Sequence, residues 1–212
     1  MQVIDLSHPI ATGMPVYPGS APPNLETIGT VAANGHAEKR ITLNSHTGTH
    51  IDAPAHMLAG ARTLDVMDVG QFIGRACVIN VSALHKPTLD AADLTPHSAT
   101  IARSEFVLLR TDHSQKWGTA AYFEGFPALT AEAAEWLSGF GLKGFGVDAI
   151  SVDRMDSKDF PVHKTLLASA FILIENLTNL HLPPSTGWVF SCLPLKLEGA
   201  DGSPVRAVAL LQ

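Results

Sequence analysis

The sequence predicts an α/β domain with a mixed sheet, for which closure into a barrel is one form the strands can take. The middle of the chain alternates strand-like and helix-like segments, while both ends are rich in strand patterns. The 212 residues are 46% hydrophobic and only 16% charged, the balance of a chain that buries a sizeable core. No internal repeat, linker or low-complexity tract interrupts the pattern, so a single domain over residues 1–212 is expected.

Taken in order, residues 3–6 form a short opening strand ended by Ser7-His8-Pro9. Residues 13–23 hold four prolines and two glycines, too many for regular structure. Such a loop can present an aromatic side chain, with Tyr17 the candidate, or simply pack that tyrosine on proline at the surface. Residues 39–44 alternate polar and apolar, a half-buried strand feeding into a histidine-rich segment. Residues 76–81 are a compact apolar strand, 88–94 have helix-like composition, and 106–109 are another strand. Thr130 can cap a helix whose apolar face is Ala133, Trp136, Leu137 and Phe140, with Gly139 and Gly141 as stop signals. A strand at 144–148 and a helix at 161–168 follow, the latter with Pro161 suited to its first turn. Residues 171–174 form a buried strand ending on Glu175. Residues 188–195 and 205–211 look like two antiparallel strands joined through Asp201-Gly202.

Composition narrows the function. A net charge of −6 and a pI near 5.9 argue against nucleic acid or an anionic membrane as partner. No apolar run approaches the roughly 20 residues of a membrane span. The amino terminus lacks the basic start and apolar core of a signal peptide, and Cys77 and Cys192 are too few for a disulfide scaffold. A cytoplasmic setting is expected. The low charged fraction further suggests surface buried between subunits, as in a homo-oligomer, dimer or tetramer.

The densest chemistry lies in Ser45-His46-Thr47-Gly48-Thr49-His50-Ile51-Asp52-Ala53-Pro54-Ala55-His56. Three histidines fall in this window, where ten among 212 residues would place fewer than one. Imidazole nitrogen and carboxylate oxygen are the ligands that hold a divalent first-row metal while leaving it reactive. His46, His50, Asp52 and His56 are all even-numbered and would share one face of an extended chain. Full extension would hold the His46 and His50 Cα atoms roughly 13 Å apart, too far to share an ion, so a bend at Gly48 is expected. Pro54 rules out a continuous helix. A histidine-rich loop or core histidines would be the plain reading of any one residue. Four potential ligands in eleven positions, with Gly and Pro shaping the backbone, point to metal.

Two further residues attract attention. His163 sits at a predicted helix start, where the positive dipole end disfavours imidazolium and leaves the ring free to bind metal. Glu175 ends an apolar strand, a costly place for a carboxylate unless something pairs with it. An exposed helix-start histidine and a solvent-facing strand-end charge are the competing readings.

The run from His46 to His56 resembles the H-x-G-T-H-x-D-x-P-x-H signature of the cyclase family of metal-dependent hydrolases, which includes kynurenine formamidases (arylformamidases) and isatin hydrolases. The likeness runs from Asp5-Leu6-Ser7 nearly to the carboxyl end. It implies the swivelling β/β/α fold and two divalent ions per subunit, zinc or manganese. One would be held by His46, His50 and Asp52, the other by Asp52 as a bridge with His163 and Glu175, whose twelve-residue separation matches the family's. His56 would be the general base or proton shuttle. Tyr17, in a Pro-Val-aromatic-Pro-Gly turn, would lie beside the substrate pocket. Asp148 and Asp153 match a D-x-x-S-x-D pattern and take a structural role, or one behind the metal ligands.

The implied reaction is hydrolysis of a small amide or lactone by metal-activated water. An aryl formamide such as N-formylkynurenine is the first expectation, ring opening of a cyclic amide such as isatin the alternative. Formamidases often carry Trp at the Tyr17 position and Asp at the Ser20 position, so the substrate is the open part of the reading. A non-catalytic metal-binding protein is the competing class.

Overall fold

A computed structural model of the chain describes residues 1–211. The chain begins with β1 (Gln2–Asp5), β2 (Asn24–Gly29), the one-turn helix α1 (Val31–Asn34), β3 (Glu38–Thr42) and β4 (His50–Asp52). The middle holds β5 (Ile73–Asn80), β6 (Thr88–Leu89), α2 (Ala91–Leu94), α3 (Ser98–Ile101), β7 (Phe106–Arg110), β8 (Ala128–Leu129), α4 (Ala131–Ser138), β9 (Gly144–Val147) and α5 (Pro161–Ala168). It ends with β10 (Ile172–Glu175), β11 (Trp188–Ser191), β12 (Gly202–Pro204) and β13 (Val208–Leu211).

Nine strands form one mixed sheet in the order β1-β13-β11-β5-β7-β9-β10-β4-β12. The central four, β5, β7, β9 and β10, run parallel, and the strands on either side join antiparallel. The sheet curls into a half-barrel and does not fully close. Its central strands are continuous apolar runs, such as Phe106-Val107-Leu108-Leu109, because both faces are covered. Val107, Leu109, Phe145 and Leu173 pack with Leu137 of α4 and Leu166 of α5. Phe106, Leu108, Ile172 and Ile174 fill the other face with Ile51 and Phe190. Helix α4 has the expected cap, the Ala133 amide donating to Thr130 Oγ1, and Pro161 opens α5.

Three local expectations change. The segment at 39–44 is not half-buried: β3 pairs only with β2, in a separate ribbon where every β3 residue is exposed. Its polar side chains pair across the ribbon, Arg40 with Glu26 on one face and Lys39 with Thr27 on the other. The segment at 88–94 splits, a two-residue strand preceding Asp90, whose carboxylate caps the single turn of α2. At the carboxyl end β11 and β13 do pair antiparallel, but Asp201-Gly202 is no simple turn between them. The chain there enters β12, which lies against β4 with Gly202 opposite Asp52. No described helix is long and apolar enough to cross a membrane.

Candidate metal centre and substrate cleft

Only His50 and Asp52 share a strand face, both in β4 and both buried. His46 precedes the strand and returns through a bend at Gly48, whose φ of +67° suits glycine. His56 lies on the single 3-10 turn Pro54–His56 that follows. The even-numbered spacing therefore describes two of the four residues, and a bend and a turn gather the others. Strand β4 sits between β10 and β12, which sets Glu175 opposite His50. His163 enters from the first turn of α5.

The side chains converge. His46 Nδ1 is 2.7 Å from Asp52 Oδ1, and His50 Nε2 is 3.3 Å from the same oxygen and 3.6 Å from Glu175 Oε2. His163 Nε2 is 3.2 Å from Glu175 Oε1 and 3.7 Å from Asp52 Oδ2. Two triads have ligand atoms all within 4.8 Å of one another: His46, Asp52 and His56, and His50, Asp52 and Glu175. Asp52 Oδ2 is buried without a hydrogen-bond partner among the described residues, an orphaned oxygen that a cation would satisfy. The other ring nitrogens are held from behind. His50 Nδ1 donates to the Gly48 carbonyl at 2.8 Å, and His163 Nδ1 donates to Asp153 Oδ2 at 2.6 Å, which turns each Nε2 toward the carboxylates of the centre. Asp153 also accepts the Val162 and His163 amides, so one carboxylate caps α5 and orients its histidine. The donor set fits divalent metal.

Electrostatics differs from the expectation at His163. Burial opposes its protonation, but hydrogen bonds to Asp153 and Glu175, with charge from Glu175 and Asp52, raise its pKa to about 10. A helix dipole acts weakly beside such close carboxylates. His46 follows the same logic: burial is outweighed by Asp52 and Asp201, and its pKa rises to about 9. His56 goes the other way, lowered chiefly by burial, with the charges of His46 and His163 adding to it. Asp52, although buried, is held well below the usual carboxylate range by His46 and His50.

A cleft of about 250 Å³ opens onto this centre, lined by Val16, Tyr17, Met57, Ile150 and Phe160 together with His46, His50, His56, His163 and Glu175. Tyr17 thus lies at the cleft, as does Ser20. Asp148 accepts the Thr111 amide and hydroxyl and the Asp112 amide, tying down the loop after β7.

Asp201 escaped the sequence reading. Its Oδ2 is 3.0 Å from His46 Nε2 and 3.5 Å from His56 Nδ1. Behind it lies Gly202, where a Cβ would sit 2.5 Å from the His46 ring and displace that histidine. An Asp-Gly pair signals a turn, and nothing local tells that it faces a strand some 150 residues earlier.

A half-barrel whose mouth gathers histidines and carboxylates beside an apolar cleft forms a candidate catalytic metal centre, and known proteins share this arrangement of fold and sequence. The Cyclase family model, described as "Putative cyclase", matches residues 4–154. A kynurenine formamidase of Bacillus cereus is 35% identical over 207 residues, covering 97% of this chain and 95% of that protein. A crystal structure of an isatin hydrolase bound to the product analogue thioisatinate superposes with a TM-score of 0.90 at 25% identity, covering 99% of this chain and 92% of the other. Isatin hydrolase A from Ralstonia solanacearum gives 0.88 at 30% identity, covering 100% and 92%. The chain belongs to the cyclase family of metal-dependent hydrolases.

Proposed function

We propose that the chain opens a small cyclic amide or lactone of the isatin type, cleaving the ring C–N or C–O bond with water to give a carboxylate and a free amine or hydroxyl. The observation that carries this reading is the near-complete superposition on isatin hydrolases, one of them bound to the product analogue thioisatinate. Tyr17 and Ser20, where formamidases often have Trp and Asp, point the same way. Aryl formamides are the second reading, supported by the identity to a kynurenine formamidase.

In this reading His46, His50 and Asp52 hold one ion, and Asp52, His163 and Glu175 hold the other; zinc and manganese both suit the nitrogen and oxygen donors. When bound, such ions polarise a carbonyl oxygen and lower the pKa of water from about 15.7 toward about 7. Tyr17 and Phe160 flank the cleft and hold a flat ring by stacking and apolar contact. His56, its pKa below the ordinary 6.5, is neutral at pH 7 and accepts a proton from the attacking water. It then passes that proton to the leaving nitrogen or oxygen as the bond breaks. Asp201 faces His56 Nδ1 and orients the ring for both transfers.

Steady-state kinetics on isatin, N-formylkynurenine and a simple aryl lactone tests the proposal, with chelator added and zinc or manganese then restored. The highest kcat/KM is expected for isatin, lost to chelator and recovered with metal. A higher value for N-formylkynurenine would select the formamidase reading. Metal-loaded protein that turns over none of the three would sink both.

Loading should also release protons. His46 and His163 have metal-free pKa values of about 9 and about 10, above the ordinary 6.5. Their ion pairs therefore stabilise the metal-free fold fully below pH 6.5, and that contribution is lost as pH rises through 9 to 10. Metal needs the deprotonated rings, so affinity rises with pH across the same window. Zinc titration calorimetry in buffers of different ionisation enthalpy should count up to about two protons released near pH 7.5. Uptake without proton release would mean that both rings are already neutral before the metal arrives.

A further inference from the structure

We infer that Tyr122 and Asn176 form a positioning pair that holds His50 so that its Nε2 faces the metal centre. The inference rests on the reading of His50 as a metal ligand.

Tyr122 is fully buried on the turn Ala120–Phe123, far from β4 and β10 in sequence. Its hydroxyl donates to Asn176 Oδ1 at 2.7 Å. Asn176 is itself 5% exposed and directly follows Glu175, in a left-handed conformation with φ of 56°. Its backbone is pinned on both sides, the amide donating to Ala149 O at 2.9 Å and the carbonyl accepting from Thr49 Oγ1 at 2.6 Å. The side-chain amide then reaches across to β4, where Nδ2 donates to Gly48 O at 2.9 Å.

That carbonyl also accepts from His50 Nδ1, at 2.8 Å. A carbonyl oxygen only accepts, so at this distance Nδ1 carries a hydrogen, and in the neutral ring that a metal requires Nε2 keeps the lone pair. The 3.5 Å approach of Asn176 Nδ2 to His50 Nδ1 is then the contact of two donors that share one acceptor. Flipping the Asn176 amide would press Oδ1 against the Gly48 carbonyl. The Tyr122 hydroxyl opposes the flip by donating to Oδ1 on the other side. One buried hydroxyl thus fixes an amide, the amide helps fix a carbonyl, and the carbonyl fixes the tautomer and pitch of His50. Such outer hydrogen bonds set how well a histidine holds its ion. Because Asn176 adjoins Glu175, the same clamp ties together the two strand ends that supply His50 and Glu175.

The test compares wild type, Tyr122→Phe, Asn176→Leu and His50→Ala. Each is measured by zinc competition against a chromophoric chelator and by the visible absorption of the cobalt(II)-loaded protein, with circular dichroism to check folding. Tyr122→Phe removes one oxygen without changing shape, so it carries the test even where Asn176→Leu fails to fold. Zinc affinity is expected to fall by roughly 10–100-fold in Tyr122→Phe, with an altered cobalt spectrum. Wild-type affinity in Tyr122→Phe would overturn the inference. So would weakened affinity with an unchanged cobalt spectrum, since a purely structural role would leave the ligand field alone. Wild-type affinity in His50→Ala would instead overturn the assignment of His50 as a ligand, on which the inference stands.

Discussion

Asp52→Ala should lose both ions and at least about 10³-fold in kcat/KM, more than the loss of a single electrostatic donor costs an enzyme. Asp52 alone belongs to both triads. Its Oδ1 faces His46 and His50, and its unpartnered Oδ2 lies 3.7 Å from His163 Nε2. Only 1% exposed and held well below the ordinary carboxylate pKa, it keeps its negative charge throughout the neutral range. Removing it leaves three imidazoles converging on a centre from which the shared charge has gone. Asp52→Asn, with nearly the same shape, should also bind metal poorly, which separates charge from packing. Glu175→Ala should mainly empty the position that Glu175 shares with His163. Atomic emission on each purified protein, with turnover from the same preparation, makes the comparison. Wild-type metal content in Asp52→Ala would exclude a shared ligand.

What the sequence made legible follows the range of the forces involved. The central strands were readable because burial on both faces writes a continuous apolar run, and α5 because Pro161 marks a first turn. The ribbon strand β3 was misjudged because alternation looks the same whether a strand joins a main sheet or a free hairpin. His46, His50, Asp52 and His56 stood out through their local density, whereas His163 and Glu175 needed the family resemblance to be preferred over ordinary surface charges. The structure brings all six to one place. Asp201, Tyr122 and Asn176 were invisible, since each acts across the sheet through a pairing that no local pattern encodes. In the metal-free centre His163 departs from the helix-dipole reading for a related reason. The helix start is visible in sequence, but the two carboxylates that override its dipole come from Asp153 and Glu175, brought close only by folding.

His56→Ala should separate binding from catalysis, keeping most of the metal while losing activity by about 10²–10⁴-fold, the range of a general base. Two arrangements compete for this residue. The ligand atoms of His46, Asp52 and His56 lie close enough for His56 to be a direct ligand. Yet His56 lies on the turn after Pro54, its Nδ1 3.5 Å from Asp201 Oδ2, and burial keeps its ring neutral, all of which suits a base beside the ions. Its pKa below the ordinary 6.5 places the acidic limb of kcat/KM below neutrality, with activity rising as pH rises through that value. His56→Ala should flatten this limb, and Asp201→Asn, which leaves the ring in place, should move it to lower pH by weakening the partner that favours the charged ring. Metal content, kcat/KM and the pH profile are measured on one His56→Ala preparation. Metal lost in step with activity would make His56 a ligand, and full metal with near-normal turnover would place the base on another residue.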